Sequence, residues 1–142
     1  HGASPAGVGR QDNATLSALD SIDAAVLGFT RSVDHQFWMG LPDVTLLLTP
    51  TGYAYISSFG GIGPCAVRSP RDFPGLLAMS IQRAAELKLQ HVSFVVPGLA
   101  SAALACLLGH DGRYAADMTV LLSSRPFGRL NRYLLPASDA LF

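Results

Sequence analysis

Gly61–Gly98, GIGPCAVRSPRDFPGLLAMSIQRAAELKLQHVSFVVPG, is the stretch from which the fold follows. Ile62–Val67 is a short apolar run with a turn signal on either side, and it reads as a buried strand. From Pro70 to Leu89 the apolar residues change to helical spacing, with Phe73, Leu76, Leu77, Ile81, Ala84 and Leu87 on one face. His91–Val96 returns to a β-branched and aromatic run, closed by Pro97-Gly98. Two buried strands joined by a helix of about five turns are expected to lie parallel, with a right-handed crossover. In such a unit a ligand sits most naturally at the C-terminal end of the first strand, against the positive N-terminus of the helix. That expectation centres function on Val67–Asp72.

Working outward, residues 1–13 are rich in Gly, Ala, Ser, Pro and Asn without periodicity, and are expected to form a flexible arm or linker. Residues 14–142 then read as a single domain. A helix is predicted from Ala14, with Leu16, Leu19, Ile22/Asp23, Val26 and Leu27 sharing a face and Gly28 as C-cap. A second helix, Ser32 to about Gly40, is expected to turn Val33, Phe37 and Trp38 inward. Val44–Thr49 and Tyr53–Phe59 form an antiparallel hairpin around Pro50-Thr51-Gly52. Beyond the central unit, Leu99–Gly109 is a helix with Leu104, Leu107 and Leu108 toward the sheet, and Tyr114–Ser123 is a strand. Arg125–Phe142 is a tail punctuated by Pro and Gly, with room for a short strand or helical turn. The expected class is α+β, close to α/β: a central, mixed, twisted sheet whose antiparallel meander runs into a parallel βαβ unit, with helices on both faces.

The 142 residues suffice for one sizeable core, and 49% hydrophobic against 14% charged residues marks a globular chain. Ten basic residues balance ten acidic ones, so no whole-chain field favours nucleic acid or an anionic membrane. The most apolar window, Phe94–Leu108, is too short to span a bilayer. Cys65 and Cys106 lie in apolar settings without metal or redox spacing, and read as free thiols of a reducing cytoplasm. Nothing resembles a signal peptide, and no pair among His, Cys, Asp and Glu has metal-ligand spacing. Because the first residue is His, the chain is expected to be a fragment or a processed piece.

The element order, together with Gly52-Tyr53-Ala54-Tyr55, Ile62-Gly63-Pro64 and Leu104–Gly112 before Arg113-Tyr114, resembles the GNAT superfamily of N-acetyltransferases. Leu19-Asp20, Gly28-Phe29, Arg31, Asp34-His35 and Trp38, with Ser124–Gly128 and Arg132-Tyr133-Leu134, are similar to the second half of two-domain bacterial GNAT proteins. The resemblance implies acetyl transfer from acetyl-CoA to a small-molecule or peptide amine, without a covalent intermediate. It implies cofactor contacts at Cys65, Ala66, Val67, Arg68 and Arg71, where the first central strand pairs with pantetheine and the next loop cradles the pyrophosphate. It further implies a partner, either a second GNAT domain preceding His1 or a second copy in a homodimer.

The departures from the family pattern are chemical. Arg71 and Phe73 stand where the phosphate loop carries glycine and a small residue, and Pro70 and Pro74 each lack an N–H. Arg68 and Arg71 can compensate as phosphate ligands; equally, Ser69 or Asp72 can serve only to cap a helix. The helix that usually supplies a tyrosine proton donor reads Leu104-Ala105-Cys106-Leu107-Leu108. The central strands carry no carboxylate, which leaves Asp34 and His35 as orienter and base, with Tyr55 beside them as the third catalytic residue. The bland alternative is a helix end with a solvated Asp34 and a hydrogen-bonded His35. Two functions therefore stand: an N-acetyltransferase, or a degenerate, non-catalytic GNAT half acting as an interface or ligand-sensing module.

Overall fold

In the computed structural model, which describes residues 6–113, 124 and 128–136, two helices precede a hairpin. Helix α1 runs Ala6–Leu27 and α2 runs Ser32–Gly40. The first begins at Ala6, not at Ala14, because no proline interrupts it and extending an existing helix is cheap. Its buried stripe is Leu19, Ile22, Asp23, Val26 and Leu27, and Gly28 ends it at φ +85°, its N–H donating to the Ala24 carbonyl at 3.1 Å. The inward face of α2 corrects the expectation. His35 and Trp38 are buried, whereas Val33 (77% exposed) and Phe37 (56%) face solvent. Arg31, His35 and Trp38 form one helical stripe, and the polar contacts of that stripe outrank the larger apolar surface of Phe37.

Among the described residues the sheet is four-stranded and antiparallel: β1 (Val44–Thr49), β2 (Gly52–Ser57), β3 (Ile62–Val67) and β4 (Tyr133–Leu134), in that spatial order. The hairpin closes on the Thr49–Gly52 pair. Only glycine fits at 52, since a Cβ there would stand 2.5 Å from the Ala66 carbonyl oxygen of β3. Strand alternation sorts the side chains into two cores. Leu47, Ala54, Ile56, Cys65, Val67 and Leu134 pack against α3 (Phe73–Glu86) and α4 (Ser101–Gly109). Leu46, Leu48, Tyr53, Tyr55, Ala66 and Tyr133 pack against α1 and α2. Helices thus cover both faces of an α+β sheet, as the sequence predicts.

The parallel βαβ unit is the main correction. His91–Val96 is not a strand; its parallel pairing with the β3 end reduces to one bridge, Gly61 to Ser93. Ile62 N–H donates to Ser93 O, and Ser93 N–H to Gly60 O, each at 2.9 Å. The ladder stops there because Pro64 has no N–H and β3 carries a bulge opposite Ala54–Ile56. Past Pro64 the same edge of β3 changes partner: Cys65 pairs with Leu134 and Ala66 with Tyr133, antiparallel. Val95 bridges Leu135 from the other side, so residues 133–135 wedge between β3 and the 92–96 segment.

One 3-10 turn, Pro70–Asp72, leads into α3, which buries Phe73, Leu76, Leu77, Ser80 and Ala84, with Leu87 40% exposed. The helix stops at Glu86, short of Leu89. Lys88 adopts φ 60°, Leu89 N–H donates to Ala84 O and Lys88 N–H to Ala85 O, a Schellman closure that caps the final carbonyls. On α4 it is Ala103 that is buried and Cys106 and Leu107 that pack on the core, while Leu108 points outward. The tail contains both a 3-10 turn, Leu130–Arg132, and β4. Residues 1–5 of the expected arm and the expected strand Tyr114–Ser123 lie outside the described residues.

Candidate functional site

Between the α1/α2 layer and β2, three polar side chains converge on one carboxylate, and two tyrosines join through them. Asp23 Oδ2 accepts from Arg31 Nε at 2.9 Å and His35 Nε2 at 2.8 Å, and Oδ1 accepts from the Tyr53 hydroxyl at 2.6 Å. The Tyr55 hydroxyl meets His35 Nδ1 at 2.7 Å. Arg31 spends its remaining donors on Tyr53 (Nη2, 2.7 Å) and Tyr133 (Nη1, 2.8 Å), with its guanidinium over the Trp38 and Tyr133 rings. The local sequence dictates this. Asp23 interrupts the apolar stripe of α1, Arg31 stands at the N-cap of α2 one turn before His35, and Tyr53 and Tyr55 share a strand face.

Hydrogen-bond logic assigns the protons. A carboxylate accepts only, so His35 Nε2 carries a proton, and in the neutral ring Nδ1 accepts from Tyr55. The Asp23–Arg31 pair then balances its own charge. Burial alone would push the Asp23 carboxyl up; hydrogen bonds from His35, Arg31 and Tyr53, with the Arg31 charge, outweigh it and hold the group below its ordinary value. Burial raises the Tyr53, Tyr55 and Tyr133 hydroxyls, which therefore stay protonated.

A depressed carboxyl stabilises the fold above its unfolded pKa of about 3.9 and loses that contribution as pH falls through its folded value. The urea midpoint of the chain is therefore expected to hold between pH ~7 and ~5 and to drop below pH ~4. Asp23→Asn, less stable throughout, is expected to show a shallower acid drop; an unchanged slope would remove Asp23 from the acid response.

Of the predicted catalytic residues, His35 and Tyr55 meet and Asp34 does not join them. Asp34 is exposed on the far side of α2, because one residue along a helix turns the side chain by about 100°. The carboxylate that holds His35 is Asp23, which motif reading missed together with Tyr133, and Tyr53 completes the set. The available signal was an acid on the apolar face of α1. Access is the second constraint. Asp23, His35, Tyr53 and Tyr55 are each 0% exposed. Arg31 alone of this set lines a shallow surface depression of about 440 Å³, shared with Phe29, Val33 and Asp34.

The predicted cofactor residues form a separate region. Cys65, Ala66 and Val67 are 0% exposed, and the outer edge of the first two is taken by β4. Arg68 is turned back into the chain: Nη2 donates to Ser21 Oγ at 3.0 Å, Nε to Pro50 O at 3.3 Å, and its carbonyl accepts from Arg132 Nη1 at 2.8 Å. Loop N–H groups are also engaged at Arg68 and Ser69. Arg68 N–H donates to Thr51 O at 2.8 Å, and Ser69 N–H to Asp72 Oδ2 at 3.1 Å, the return half of a capping box. Phe73 enters the core, and Arg71 is exposed. Arg132 points inward at the Arg68 carbonyl.

Cys65 and Cys106 are free thiols, and burial pushes both up in pKa, the opposite of an activated nucleophile. Among the described residues no three of His, Cys, Asp and Glu are placed to hold a metal ion, and no helix is long and apolar enough to cross a membrane. Compared with protein-family models, curated proteins and solved structures, the chain matches none of them.

Proposed function

We propose that the chain is a GNAT-like domain that does not carry out acetyl transfer and serves as an interface or scaffold half for another domain or a second copy. One observation carries this reading: Tyr133 and Leu134 pair with Ala66 and Cys65, along the strand edge that acetyl-CoA occupies in the acetyltransferases the chain resembles. Three further observations support it. The Arg68 and Ser69 N–H groups at the head of the loop are bonded within the chain, Arg68 donates to Ser21 and Pro50, and Asp23, His35 and Tyr55 are fully buried. A buried carboxylate–imidazole–phenol chain of this kind fixes α1, α2 and β2 in one arrangement. The two unpaired thiols fit a cytoplasmic setting.

The competing reading is an N-acetyltransferase that moves an acetyl group from acetyl-CoA to an amine, with His35 and Tyr55 near the acceptor. The contact between those two residues is what favours it. Calorimetry of the 142-residue chain with acetyl-CoA, paired with thermal melts, separates the two. A native-state ligand at a hundredfold its Kd adds about 2.7 kcal/mol, which raises Tm by several degrees. The proposal expects no heat and no shift up to millimolar acetyl-CoA. Micromolar binding with a raised Tm overturns it and restores the enzyme.

A further inference from the structure

We draw no further inference here: the strongest candidate, the exposed apolar patch of Phe29, Val33 and Phe37 on the outward side of α2, beside the shallow depression that Arg31 lines, carries nothing because nothing in the structure shows what covers it.

Discussion

Asp23→Ala is expected to cost about 3–5 kcal/mol of folding stability, while Asp34→Ala stays within about 0.5 kcal/mol. The two acids differ in burial and partners, not in chemistry. Asp34 is exposed, whereas Asp23 is 0% exposed and accepts from Arg31, His35 and Tyr53. Removing it leaves a largely buried guanidinium without its counter-charge, and two donors without their acceptor. Against a typical total of about 5–15 kcal/mol, that loss removes a large part of the margin and is expected to lower Tm by roughly 10 °C or more. Urea denaturation of both variants checks it. Equal, small effects would mean that the network contributes little to the fold, and would return the choice of acid to Asp34.

Phe73→Ala carries the second large effect, about 3–5 kcal/mol. From the sequence, Phe73 stands where a phosphate loop wants a small residue, so its replacement could be read as opening an anion site. The structure gives it another duty. At the first position of α3 it is 0% exposed and packs in the core that holds Leu76, Leu77, Ala54, Cys65 and Val67. Truncation leaves a cavity under the start of the helix, which the fixed sheet fills only in part. Chemical denaturation is expected to show the loss. Thermal melts with acetyl-CoA are expected to show no rescue, since no pyrophosphate seat is created. A neutral substitution, or stabilisation by the cofactor, would contradict this placement.

Much of the framework is legible because burial imposes periodicity. The apolar stripe of α1, the limits of β1 and β3 and the hairpin between β1 and β2 follow from spacing and turn residues alone. The acid at position 23 sits visibly inside that stripe, yet its partner cannot be read locally. His35 is twelve residues away and Tyr53 thirty, and only the packing of α1 on β2 brings them together. Asp34 looked better because it is adjacent in sequence, but adjacency on a helix separates side chains. On α2 the apolar content of Val33 and Phe37 suggested the wrong face, since polar contacts to Asp23 and Tyr55 decide which side turns inward. The parallel strand failed for another reason. A β-branched run such as His91–Val96 has the composition of a strand, but composition does not report competition from a distant tail segment for the same edge. That competition is won by Tyr133 and Leu134, past the point where Pro64 interrupts the ladder.

That wedge is where the functional reading rests, and it can be observed directly. Backbone nuclear Overhauser contacts between Cys65–Ala66 and Tyr133–Leu134, recorded with and without millimolar acetyl-CoA, report whether the chain keeps its own strand on β3. A self-filled edge predicts that these contacts are present and unchanged by the cofactor. Their disappearance on adding acetyl-CoA, with new contacts from β3 to the pantetheine arm, would mean that the tail yields its place and that the domain is built to hold the cofactor.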